Sequence, residues 1–282
     1  MVVKSFGLES AVALMLGLTI GSAQADQRSK YPDWRAQWVR VDAGHGPQFD
    51  PTKPPGRAQQ APLTPEYQAI FNANLANLAT GAQPYNTQLN CLPPGMPRTM
   101  ILYEPMEVIV MPDTTYLMFT FMNDLRRIYT DGRDWPKDVE ASFTGYSIGK
   151  WVDPGPDGVY STLEAETRYI KGPRTLGTGI PLHEDNRSVV KERISLDKPN
   201  PELLRDEITT IDNAFTRPWT VTMTYRRESN PIWTEFICAE GNNHITLEGE
   251  TYFLSADGLL MPTRKGQPPP SLNLKYFKQR MQ

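Results

Sequence analysis

The chain has 282 residues, with 29 Lys and Arg against 32 Asp and Glu, a net charge of -3 and a pI near 5.7. Its acids and bases are interspersed, which excludes the basic stripe that binds nucleic acid or an anionic membrane. The two cysteines, Cys91 and Cys238, are too few for a zinc site by themselves, since such sites need about four ligands and only His45, His183 and His244 stand as histidine partners; in an oxidising compartment they suggest one disulfide, with two separate buried thiols as the alternative.

In chain order, Lys4, the apolar run from Ala11 to Ile20 and Ala23-Gln24-Ala25 read as a secretory signal over residues 1–25, with the mature chain starting at Asp26. The apolar run is about half of the ~20 residues that a spanning helix needs. Residues 26–62 are rich in Pro, Gly and polar side chains and read as an extended arm that docks the indoles of Trp34 and Trp38. Residues 63–106 hold a helix and a connector. Thr64 is placed as N-cap, Pro65 fits the first helical position, Ile70, Phe71, Leu75 and Leu78 follow at helical spacing, and Gly81 ends the run. Leu92-Pro93-Pro94-Gly95-Met96-Pro97 then makes a rigid connector.

From residue 107 to 248 short alternating segments follow one another, and the pattern predicts strands near 107–110, 115–122, 125–130, 144–152, 159–170, 189–196, 203–212, 219–227 and 233–238. Asp131-Gly132, the Pro/Gly run from Asp153 to Gly158 and Asp197-Lys198-Pro199-Asn200-Pro201 supply the turns. Connections are mostly short enough for antiparallel neighbours, and closure into an up-and-down barrel removes the exposed edges; a sandwich is the competing architecture. Residues 249–282 read as a hairpin about Asp257-Gly258 and a tail that docks Tyr276 and Phe277.

Three motifs tempt and are set aside. Gly145-Tyr146-Ser147-Ile148-Gly149 has the G-x-S-x-G spacing of a hydrolase elbow, but that device needs a strand turning into a helix, and here strand continues. The two glycines are read instead as bends or close-packing points. Asp153 to Glu164 has the spacing of a calcium loop, yet Gly155 removes one oxygen and the flanks are strands. Ser188 and Lys191 match S-x-x-K but face opposite sides of a strand.

Acids on apolar faces are the stronger signal. Glu192 shares a face with Val190, Ile194 and Leu196, and Asp206 and Asp212 share one with Leu204 and Ile208. A desolvated carboxylate must find a partner or raise its pKa. Arg126 or Arg127, whichever faces in, is the expected counter-ion. The bland alternative is a satisfied ion pair that pins the barrel. Glu235 between Trp233 and Ile237 joins the same argument, and Trp135 with its neighbours Asp131 to Pro136 reads as a barrel-mouth loop.

The segments Arg126 to Arg133, Phe143 to Trp151, Arg217-Pro218-Trp219-Thr220-Val221 and Cys238-Ala239-Glu240-Gly241-Asn242 resemble a group of exported bacterial proteins with the patterns R-x-I-[YF]-T-D-G-R, G-x-S-x-G-x-W, [KR]-P-W-T and C-x-E-N. The resemblance covers about Leu63 to the C-terminus. It implies a lipocalin-like barrel and a periplasmic location, and no activity. Many members carry His where this chain has Tyr146, so no role resting on that histidine transfers.

The sequence reading is therefore a mainly β, antiparallel, lipocalin-like barrel that is periplasmic or secreted and binds a small apolar or amphipathic molecule in its lumen. It expects no cofactor, no nucleic-acid partner and no membrane segment after signal cleavage. Glu192, Arg127 and Tyr129 are its catalytic candidates, and Asp212, Trp219, Glu235, Trp135 and Tyr146 its ligand-binding ones. The alternative use of the same lumen is a cofactor-free lyase, isomerase or hydrolase with Glu192 as acid or base. A third is a barrel filled by its own side chains that serves as an interaction scaffold.

Overall fold

The computed structural model describes residues 30–41, 50, 53, 59–79, 88, 91–172, 174–176, 179–241, 243–247, 250–255 and 257–269. The expected signal peptide, Gly81 and the docking tail lie outside them. The strands are β1 (Gln37–Arg40), β2 (Met106–Val110), β3 (Thr114–Phe119), β4 (Leu125–Tyr129), β5 (Tyr146–Pro154), β6 (Tyr160–Arg168), β7 (Arg174–Leu176), β8 (Ile180–Leu182), β9 (Val189–Leu196), β10 (Leu203–Ile211), β11 (Trp219–Arg227), β12 (His244–Leu247), β13 (Glu250–Leu254) and β14 (Leu260–Pro262). Helix α1 spans Pro65–Ala79. Nine strands close a barrel in the order β1-β11-β10-β9-β6-β5-β4-β3-β2, while β7-β8 and β12-β13-β14 form small sheets beside it.

Most pairings are antiparallel, as the turn chemistry predicts. The exception is β4 with β5, which run parallel through Ile128↔Ser147 and Tyr129↔Ile148. The chain crosses from one to the other by a long excursion that is pinned where Tyr169 Oη donates to the Pro136 carbonyl at 2.8 Å and Met96 N donates to the Phe143 carbonyl at 2.9 Å. The excursion leaves Trp135 over the outer wall of β5.

The arm does more than dock its indoles. Trp34 and Trp38 are buried, with Trp38 Nε1 donating to the Trp34 carbonyl at 3.0 Å. Residues 37–40 also form β1, which pairs with β11 and β2 and so closes the barrel. Without that strand the edges of β2 and β11 would expose unpaired backbone groups.

The predicted strand at 233–238 is absent. Residues 228–237 run irregularly over the surface, and Glu235 stands exposed on them rather than on an inward face. Pro231 has no N–H for a ladder, and the Gln37 side chain takes the place of a partner strand: its amide nitrogen donates to the Ile232 carbonyl at 3.1 Å and its oxygen accepts from Ile232 N at 3.2 Å. The disulfide Cys91–Cys238 ties the end of this segment to the Pro-rich connector.

Inside the barrel, period-2 alternation turns Leu163, Ala165, Val190, Ile194, Leu204, Ile208, Val221 and Met223 inward, where they are buried. Each such large side chain contributes about 1.5–3 kcal/mol of burial. One end is closed by Trp34, packed on Trp151 at a ring separation of 4.9 Å. At the other end Pro97, Ile101 and Leu176 of β7 meet Ile208, Trp219 and Val221. The helix holds the β7-β8 hairpin in place through Asn74 Nδ2, which donates to the Gly179 carbonyl at 2.7 Å.

Candidate functional site

A polar belt crosses the middle of the lumen. Arg126 of β4 is 1% exposed and Glu192 of β9 is 0% exposed at the side chain, and they meet in a two-pronged pair: Nη1 to Oε1 at 2.7 Å and Nη2 to Oε2 at 2.5 Å. The same guanidinium donates to Thr167 Oγ1 at 2.8 Å and to Ser147 Oγ at 3.2 Å, and those two hydroxyls lie 2.8 Å apart. The serine of the G-x-S-x-G motif is therefore a buried belt member on a strand, not an exposed nucleophile. Gly149 is the close-packing point expected of it, since a Cβ there would sit 2.7 Å from Ile128 Cγ2 and 2.9 Å from the Glu164 carbonyl oxygen.

Asp206 completes the belt. It is wholly buried and neither carboxylate oxygen has a hydrogen-bond donor. Burial first, and then the charge of Glu192, push its pKa well above the ordinary carboxylate range, against the smaller pull of Arg126. Two ionised carboxylates cannot bond each other, whereas a protonated Asp206 can donate to Glu192, and this resolves the apparent orphan. Tyr225, which donates its hydroxyl to the Met100 carbonyl, faces the same acids, and burial and their charge push its phenol upward as well.

The belt separates two apolar ends, and neither has room for a guest. Trp34, Met106, Val108, Leu117, Leu163, Ile194 and Asp206 enclose a gap with ≈ 0 Å³ for a water-sized sphere, and the gap beside Trp219 leaves ≈ 20 Å³. A lumen in a barrel of this size is commonly filled by side chains. Glu192, held in a guanidinium fork inside a closed core, has no path to a substrate.

The other predicted site residues divide between plug and outer wall. Asp212 is buried at the plugged end, where its Oδ1 accepts from the backbone N–H groups of His183 and Ala214, each at 2.9 Å, and its Oδ2 accepts from Ser188, which itself accepts from Arg174 at 2.5 Å. Trp219 is lumenal and packs edge-on against Phe215 at 5.9 Å. Arg127 and Tyr129, expected to face inward, lie on the outer face of β4. The sequence places both arginines beside an apolar neighbour, so the phase of the strand was open, and Arg126 took the inward place. Arg127 is exposed, with its guanidinium 6.0 Å from the Tyr116 ring.

On that outer wall an aromatic and arginine cluster forms. Arg133 lies 3.7 Å over the Tyr129 ring and donates to Tyr146 Oη at 3.2 Å, while Arg168 lies 4.3 Å over the Trp135 ring. Trp135 neighbours Tyr146 at 6.2 Å and Tyr169 at 6.3 Å. Beside the cluster a groove of ≈ 480 Å³ opens across β5, β6, β9 and β10.

Strand register builds its floor. One row reads Ile148↔Glu166↔Lys191↔Thr209, and the next reads Lys150↔Glu164↔Arg193↔Glu207. Opposite charges facing one another across strands each add about 0.2–1 kcal/mol. Lys150 meets Glu164 at 3.1 Å and Lys191 meets Glu166 at 3.5 Å, while Arg193 pairs with both Glu164 and Asp153. These ladders were missed by sequence reasoning, because their signal is the outward phase of four strands read together, and only register aligns them.

A wider depression of ≈ 1010 Å³ near Asp157, Tyr160 and Pro199 is rimmed by hairpin turns, and its arginines are closed in pairs, Arg193 with Asp153 and Arg205 with Asp197 at 2.7 Å. The sequence motif for calcium lies in one of those turns, where Asp157 Oδ1 accepts from Val159 N at 3.0 Å while Asp153 and Glu164 are both taken by the Arg193 guanidinium. Compared with known proteins, the chain matches no family model and no curated protein.

Proposed function

We propose that this chain is an exported barrel that serves as a rigid scaffold and binds a small amphipathic molecule in the outer groove beside Trp135, not in the lumen. The observation that carries the reading is the contrast in space: the groove offers ≈ 480 Å³ with Trp135 and Ile148 at its edge, while the lumenal gaps offer ≈ 0 and ≈ 20 Å³. Ligand pockets combine apolar surface with a few fixed polar groups on a scale of roughly 300–1,000 Å³, and the groove falls within it. Its polar groups stand on strands, which hold them more firmly than loops would. Export is supported by the disulfide, which persists in oxidising compartments, and by the leader pattern of residues 1–25.

The neutral amphipathic fluorophore N-phenyl-1-naphthylamine tests this directly. Saturable enhancement in the parent protein, weakened about tenfold or more in Trp135→Ala and unchanged in the lumenal variant Ile194→Val, is the expected result. Equal binding by Trp135→Ala and the parent overturns the reading.

A further inference from the structure

Resting on that groove reading, we infer that its ligand is an elongated organic cation, whose apolar end lies on Trp135 and Ile148 and whose ammonium meets Glu207. The groove has a direction. Its four strands are consecutive neighbours in the sheet, and at about 4.8 Å per strand the distance from the β5 side to the β10 side is about 14 Å. The aromatic and apolar groups, Trp135 and Ile148, belong to the β5 side; Glu207 and Thr209 belong to the β10 side.

The charges along that line are not equivalent. Every lining cation is already matched: Lys150 by Glu164, Lys191 by Glu166, and Arg193 by Glu164 and Asp153. An anionic ligand would have to displace a carboxylate already in place. Glu207 differs. It faces Arg193 in register, yet that guanidinium is turned to Glu164 and Asp153, so among the described residues lining the groove Glu207 is the carboxylate on the outer wall left without an ion pair. The residue on its other side, Thr222, brings a hydroxyl and no charge. The groove is thus finished as an acceptor at the far end and as an apolar surface at the near end.

The test uses three matched probes of about the groove's length, 6-phenylhexylamine, 6-phenylhexan-1-ol and 6-phenylhexanoate, each competing with N-phenyl-1-naphthylamine on the intact protein. The amine should bind tightest and the carboxylate weakest. Glu207→Gln should weaken the amine about three- to fivefold, the scale of an exposed ion pair, and leave the alcohol unchanged. The preference should shrink in 0.5 M salt, where screening is short-ranged. Glu207 is exposed, so its variant keeps the fold and the comparison stays clean. If the alcohol binds in a Trp135-dependent way but the amine binds no better, or Glu207→Gln leaves the amine unchanged, the inference fails and the groove reading stands. If no probe binds, or binding ignores Trp135→Ala, both fail.

Discussion

The inner and outer faces of one barrel wall treat charge in opposite ways. Inside, Arg126, Glu192 and Asp206 are sealed from water, with Arg126 forked onto Glu192 and bonded to the Ser147 and Thr167 hydroxyls, and the apolar gap beside them leaves no room for a guest. Outside, Lys150, Glu164, Arg193 and Glu207 alternate across the sheet in solvent and floor an open groove. A buried charge is costly to leave unmatched, so the inner set is fixed by the fold; an exposed pair is worth about 0–1 kcal/mol, so the outer set adds little to stability. The burial that made Glu192 look functional is what removes it from chemistry.

The contrast breaks most visibly at Arg126. Arg126→Leu leaves Glu192 buried without its counter-ion, and denaturant unfolding should show a loss of about 3–5 kcal/mol. Gly149→Ala forces a methyl against Ile128 and the Glu164 backbone, and the same measurement should show about 1–3 kcal/mol. Both effects belong to the inner face.

Asp206 sharpens the comparison through pH. Its folded pKa is raised, so between the ordinary value near 3.8 and the folded value the native chain holds a proton that the unfolded chain has lost. The stability this proton supplies is complete below about pH 3.8 and declines as pH rises toward the folded pKa, with a slope of up to about 1.4 kcal/mol per pH unit. Asp206→Asn keeps a donor for Glu192 and cannot ionise. Its unfolding free energy should lack this decline and exceed that of the parent at alkaline pH; parallel pH profiles would show that Asp206 carries no such proton.

On the outer face, Trp135→Ala removes one ring stacked by Arg168 and should cost under about 1 kcal/mol of stability. The same change should weaken probe binding about tenfold or more. A stability loss on the scale of Arg126→Leu would place Trp135 with the core instead.

Much of this architecture was legible in residue order. Alternation in Trp219 to Arg227 and in Val189 to Leu196 fixed which side chains turn inward, and Cys91 and Cys238 do pair. The helix starts at Pro65 as its cap chemistry predicts. Three features were not legible, each for a physical reason. Residues 37–40 are too short a run, and carry a buried Gln37 and Arg40, to read as the strand that closes the barrel. Residues 233–238 alternate like a strand but have no partner edge. The choice between Arg126 and Arg127 depends on a phase that two adjacent arginines between apolar residues leave undetermined. The site followed suit: Trp135 and Tyr146, expected in the lumen, stand near one another on the outer wall, and Glu207 emerges only when register aligns it with Lys150, Glu164 and Arg193.

The most direct test of an inert interior and a binding exterior is the set of indole N–H signals in a heteronuclear NMR spectrum, recorded as N-phenyl-1-naphthylamine is added. The six tryptophans report separately on the two faces. The Trp135 signal should move in a saturable way while those of Trp34, Trp38 and Trp219 hold still; movement of the buried indoles with Trp135 unchanged would place the guest inside the barrel and contradict the account.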